Sequence, residues 1–168
     1  RKECEDNIAY LETIEAGLFA SKSLAEINEI QGELIASGYL REKPKKKNND
    51  KPAKPFHFTA PDGTPILVGK NNYQNDKLTT KVAGRMDTWF HTKNIPGSHV
   101  IVRNDGTDLS KETMELAAML AAHFSKAQEG SNTPVDYTQI RYVKKPSGSK
   151  PGFVIFTNQT TVHVTPDD

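Results

Sequence analysis

The chain has 168 residues, 35% of them apolar, with 22 Lys and Arg against 21 Asp and Glu and a mean hydropathy of -0.64. That length holds one ordinary domain with a modest extension, and the low hydropathy leaves part of the chain outside any core. The single cysteine, Cys4, excludes an internal disulfide and a cysteine zinc cluster within the chain. No apolar run approaches the roughly 20 residues that span a bilayer, and no signal peptide opens the sequence. The expectation is a cytoplasmic-type piece of a longer protein, its first residues reading as the interior of a cut helix.

The net charge of +1 hides a segregation. Residues 1–40 carry 3 basic and 8 acidic side chains, residues 41–54 carry 7 and 2, and residues 55–168 carry 12 and 11. In the first block Ile8, Leu11, Ile14 and Leu18 form one helical stripe over residues 3–20. A second helix starts after Ser23, where Ser23 and Glu26 fit a capping box, and Gly38 stands where a left-handed cap ends it. Two such short helices are marginal alone and need a partner. Residues 41–54 are a lysine- and proline-rich linker, attractive to a phosphate backbone but equally explained by solubility.

Phe56 to Thr59 and Pro65 to Val68 read as a hairpin turning at Asp62-Gly63. Asn71 caps a helix that Gly84 stops. Strands over 89–92 and 99–102 follow, joined by a turn at Pro96-Gly97. Ser110 caps a long alanine-rich helix to about Gln128, residues 130–134 form a loop, and strands are predicted over 137–143, 153–157 and 161–164. This order predicts an α+β fold: a mixed, largely antiparallel sheet covered by two helices, preceded by a short helical coiled-coil tail. The expected division is 1–40 helical tail, 41–54 basic linker and 55–168 domain.

Residues 84–103 are the least ordinary stretch, packing Trp89, His91 and His99 around a Pro-Gly-Ser turn. On a strand Trp89 and His91 share one face and Phe90 and Thr92 the other. Asp87, His91 and His99 suggest a metal site, but their spacing matches no ligand signature and core histidines explain them as well. No cofactor and no catalytic residue is expected. Phosphate recognition has more support. Gly97, Ser98 and His99 offer amides and a hydroxyl in a turn, and Lys70, Asn71 and Asn72 stand at a helix start. Lys77, Lys81, Arg85, Lys93 and Arg103 surround these points, and Lys144 and Lys145 open a third glycine-rich basic loop. Three such loops favour RNA, with phosphate contacts dominating over base reading.

Gly69-Lys70-Asn71-Asn72, Gln74-Asn75-Asp76, Asp87 to Lys93 and Ile95 to Val100 together resemble the C-terminal RNA-binding domain of the NFACT family, whose members include RqcH in bacteria and NEMF in eukaryotes. Streptococcal members are also called fibronectin-binding proteins. The resemblance covers residues 55–168, with 1–40 similar to the tail of the family's coiled coil. It implies ribosome-associated quality control: binding to obstructed large ribosomal subunits and to tRNA or rRNA, in support of C-terminal alanine tailing of stalled chains. Fibronectin or fibrinogen binding at a cell surface is the implied alternative. The family's N-terminal and helix-hairpin-helix domains are not in this sequence, so the chain alone is expected to bind without supporting tailing. Lys70, Lys81, Arg85, Lys93 and Arg103 are then expected on phosphate, with Asp87, Trp89 and His91 holding the loops.

Overall fold

Alternation along three short strands decides the architecture. Ile66 and Val68 of β2 (Pro65–Val68), Phe90 of β3 (Thr88–Thr92) and Val100 and Val102 of β4 (Val100–Val102) point to one side, while Leu67, Trp89 and Ile101 point to the other. Strands apolar on both faces must be covered on both. The structure, a computed structural model, describes residues 2–41 and 52–166. The linker expected over 41–54 lies largely outside them.

β2, β3 and β4 form the middle of a six-stranded sheet in the order β1-β2-β4-β3-β5-β8, with β1 at Phe56–Thr59, β5 at Thr133–Gln139 and β8 at Thr160–Val164. Every pairing is antiparallel, and Trp89 stands opposite Ile101 and Thr138. β5 begins in what reads from sequence as a loop and includes Pro134. The missing N–H is tolerated because β3 ends at Thr92, opposite Val135, so Pro134 has only to accept from Lys93 N, at 2.9 Å.

One helix covers each face. α4 (Lys111–His123) lies on the first, capped by Ser110 and burying Ala117, Ala118, Ala121 and Ala122 completely. It stops at His123 rather than near Gln128 because the next residues are bound elsewhere: Phe124 O accepts from Ser98 N and Lys126 N donates to Pro96 O. Gly97 forms an isolated bridge with Ser125 at this crossing. The second face is covered by α3 (Asn72–Lys77), a π-helical turn (Leu78–Val82) and a two-stranded ribbon, β6 (Val143–Lys144) and β7 (Ile155–Phe156). Leu78, Val82, Val143, Val154 and Phe156 all join the apolar cluster that contains Trp89. The strand expected over 137–143 is broken by a 3-10 turn, Ile140–Tyr142, which lifts the chain off the sheet and into the ribbon.

α1 (Lys2–Ala20) and α2 (Leu24–Ala36) form a helical hairpin around Tyr10, Ile14 and Ile30. Ser23 caps α2 by accepting from Glu26 N, and Gly38 (φ 81) ends it in the left-handed region. The Glu26 carboxylate reaches back to Lys22 N, one residue beyond the partner a capping box would use. The hairpin docks through its acids: Glu26 on Lys70 (2.5 Å), Glu29 on Asn71 (2.9 Å) and Glu12 on Lys126 (2.7 Å). Glu33 is fully buried at the junction, taking the Tyr10 hydroxyl at 2.8 Å on one oxygen. Its other oxygen and Nδ2 of Asn72 are both buried without an aligned partner. Burial therefore pushes the Glu33 carboxyl above the ordinary carboxylate range, and Tyr10 and Asn72 offset only part of that.

Two outcomes follow from these contacts. A Cβ at Gly97 would stand 2.7 Å from Ser125 Cβ and 3.0 Å from its Cα. Gly97→Ala is expected to cost about 1–3 kcal/mol in urea unfolding, because backbone on both sides must move. The Glu33 contribution to stability is complete below the ordinary carboxylate range and is lost as pH rises through the elevated value. The Tm difference between Glu33→Gln and the parent should therefore move in favour of the variant from pH 4 to pH 8, and a flat difference would contradict the assignment.

Candidate nucleic-acid interface

The motif residues around α3 are spent on one another. A Cβ at Gly69 would fall 1.9 Å from Asn75 Oδ1, so only glycine admits that side chain. There Asn75 Oδ1 accepts from His99 N at 3.1 Å, while Gly69 N donates to His99 O, also at 3.1 Å. Asn71 Oδ1 caps α3 through Gln74 N, and Gln74 Oε1 accepts from Lys70 N. Thr79 Oγ1 lies 2.6 Å from His99 Nδ1. Asp76 accepts from Gly152 N at 3.0 Å and pairs with Lys145 at 2.8 Å, tying the 145–152 loop to the same helix. Buried polar groups need partners, and these supply each other's.

This accounting separates the residues expected on phosphate into two sets. Lys70 is held by Glu26 and lies 4.5 Å above the Phe56 ring. Asn71 and Asn72 are buried. The turn at Gly97, Ser98 and His99 is no open anion nest, because Ser98 N serves Phe124 and His99 N serves Asn75. Arg103 Nε sits 2.8 Å from Asp87, which also accepts from Gly84 N and Asp105 N. Lys145 is on Asp76 and Lys150 O. Lys81, Arg85, Lys93 and Lys144 remain exposed, and no ion pair links them to a described carboxylate. Asp87, His91 and His99 form no metal centre: among the described residues no group of three His, Cys, Asp or Glu side chains is arranged to hold an ion.

Three of the four exposed cations share a surface, and two further cations join them. The π-helical turn and the ribbon both pack on the Trp89 face, so their solvent sides look the same way. The first presents Lys81, just after Lys77 at the end of α3, and the second presents Lys144. Between them Arg141 N donates to Arg85 O at 3.0 Å, setting two arginines side by side on adjacent backbones. Arg141 is invisible from sequence because it falls inside a run read as one strand. The 3-10 turn that exposes it has no signature there beyond the loss of alternation. The π-helical turn is itself a feature often found at functional sites, and here it buries Leu78 and Thr79 while leaving Thr80 and Lys81 in solvent. Lys93 stands apart, at the far end of β3.

Comparison with known proteins places the chain in a family. Residues 54–158 match the family described as "NFACT protein RNA binding domain". The chain belongs to the NFACT family. It is 48% identical over 168 residues to Rqc2 homolog RqcH of Bacillus subtilis (strain 168) and 46% identical over 168 residues to that of Streptococcus suis (strain 05ZYH33). Those alignments take in 97% and 99% of this chain but 29% and 30% of the relatives, so the chain spans less than a third of their length. A solved structure of the C-terminal of the fibronectin/fibrinogen-binding protein from Streptococcus suis superposes with a TM-score of 0.90 at 46% identity, covering 99% of this chain and 66% of that one.

In this NFACT chain the aromatic centre of the motif is an anchor beneath the surface. Trp89, 1% exposed, stacks on His91 at 5.6 Å, meets His99 edge-on at 5.4 Å and contacts Phe156 at 4.7 Å. Its indole N–H has no acceptor among the described residues, so the ring serves as apolar volume. Burial pushes both imidazoles below the ordinary histidine value, and for His99 the neighbouring His91 and Lys145 push further. Carbonyls at Thr92 and Gly97, with Asp136, pull His91 part of the way back, as the Gly152 backbone does for His99. Both are neutral at pH 7, which leaves His99 free to bond Thr79 as a neutral ring. A histidine with a depressed folded pKa contributes stability that is whole above about pH 6.5 and is lost as pH falls toward the folded value. The slope of stability against pH below 6.5 should be shallower in His91→Asn than in the parent, and equal slopes would show that the buried pair does not titrate with unfolding.

Proposed function

We propose that the chain is a non-catalytic RNA-binding module of a ribosome-associated quality control factor. In this reading it contacts tRNA or rRNA on an obstructed large ribosomal subunit, in the cytoplasm, and helps the whole protein support C-terminal alanine tailing of the stalled chain. The observation that carries it is the set of exposed cations Lys77, Lys81, Arg85, Arg141 and Lys144, none of them ion-paired to a described carboxylate, on the segments that cover or border the Trp89 face, in a chain that matches an RNA-binding family. Clustered cations without carboxylate partners gain from phosphate neutralisation and counterion release. That the relatives are Rqc2 homologs supports the ribosomal setting.

The test is binding of tRNA and of large ribosomal subunits to the parent chain and to the combined Lys81→Ala, Arg85→Ala, Arg141→Ala, Lys144→Ala variant. Affinity should fall about ten- to a hundredfold near 0.15 M salt, and the salt slope should fall by about one unit per phosphate contact removed. Lys93→Ala, at the other end of β3, should change binding far less. Unchanged affinity, or binding indifferent to salt, would sink the reading. The name of the streptococcal structural relative favours a second reading, adhesion to fibronectin or fibrinogen. That reading requires binding to purified fibronectin that resists salt and survives the four substitutions.

A further inference from the structure

The β6–β7 ribbon has two unlike faces. Val143 and Phe156 are paired in register and turn inward with Val154 onto Trp89. The next pair, Lys144 and Ile155, points the opposite way, and Phe153 shares that outer face two residues from Ile155. Thr157 N donates to Tyr142 O at 3.2 Å, which carries the pairing one step further and puts Tyr142 on the outer face as well. Ile155 is 53% exposed and Phe153 49%. A solvent-facing strand surface is ordinarily polar, so an exposed phenylalanine beside an exposed isoleucine calls for an occupant.

Charge identifies that occupant. The guanidinium of Arg141 lies 4.7 Å from the Tyr142 ring centroid, Lys144 stands opposite Ile155, and the Arg85 backbone adjoins that of Arg141. Asp76, the acid tied to the adjoining loop, is already neutralised by Lys145. Aromatic rings interleaved with unpaired cations suit bases and phosphates together, whereas a helical RNA duplex keeps its base faces stacked inside. We propose that the outer face of this ribbon, formed by Tyr142, Lys144, Phe153 and Ile155, takes unpaired bases of a single-stranded RNA segment. Phe153 stacks on a base while Arg141 and Lys144 hold the flanking phosphates. This rests on the RNA-binding reading and adds the form of RNA and the side chains that read it.

The experiment uses the full chain with two probes, a short single-stranded RNA carrying one 2-aminopurine and a blunt duplex of the same sequence. The single strand should bind more tightly, with a change in 2-aminopurine fluorescence that reports stacking. Phe153→Leu, which keeps the apolar bulk at an exposed position, should weaken single-strand binding by about 5- to 150-fold, with Tm and salt slope unchanged. Phe153→Trp should restore both affinity and the fluorescence change. Single-strand binding by Phe153→Leu equal to the parent's, or equal affinity for the duplex, would overturn this inference while leaving the cationic surface in place, and would assign the apolar side chains to a protein partner. Failure of the parent to bind either probe would overturn the RNA reading itself.

Discussion

The side-chain oxygen of Asn75 occupies the space that Gly69 vacates, and the interface is built outward from that contact. By accepting from His99 N it pins the start of β4 to α3, and His99 then reaches Thr79 at the π-helical turn. Asp76, one residue on, fixes the 145–152 loop through Gly152 N and Lys145. The cover over Trp89 is therefore one cross-linked unit, although α3 has only six residues and β6 and β7 two each. Elements that short have little stability of their own, and shared buried polar contacts give them a fixed position. The backbone that carries the cations of the cover is positioned by those contacts, while their side chains stay in solvent.

Electrostatics divides the same molecule into two surfaces. The acidic helical hairpin takes up Lys70 and Lys126, and Lys150 is drawn between Asn7 and the Tyr10 and Tyr39 rings. Exposed pairs such as Lys126 with Glu12 contribute little each, and the hairpin's own apolar contacts and the largely buried Glu26–Lys70 pair matter more for its placement. The functional consequence lies in subtraction. Cations that look in sequence like phosphate ligands are neutralised by the hairpin or by Asp76 and Asp87, and what remains unpaired is concentrated on the Trp89 side.

Much of this fold can be read from local chemistry. Caps at Ser23, Asn71 and Ser110 place three helix starts, because each needs only an oxygen three residues before an amide. Alternation through Trp89 and Phe90 assigns the two faces of β3 correctly. The end of α4 was not legible, since Ser98 and Pro96, more than twenty residues away in sequence, take up the backbone groups beyond His123. Nor was the division of the cations: Lys70 and Lys81 look equivalent in sequence, and only the docking of Glu26 separates them. The same applies to Gly97, which reads as a phosphate turn but is there so that Ser125 can approach. Motif residues in this family resemblance are used up in the scaffold, while the cations left without a described carboxylate partner lie beside them at positions that pattern alone does not distinguish.

The motif builds a platform, and in the proposed reading the unpaired cations and the outer ribbon face touch RNA. Ultraviolet crosslinking of the protein to ribosome-bound RNA, with the crosslinked residues mapped by mass spectrometry, is the decisive measurement. The account predicts crosslinks at Lys81, Arg85, Arg141, Lys144 and Phe153. Crosslinks at Lys70, Ser98 and His99 instead, or none within residues 54–158, would contradict it.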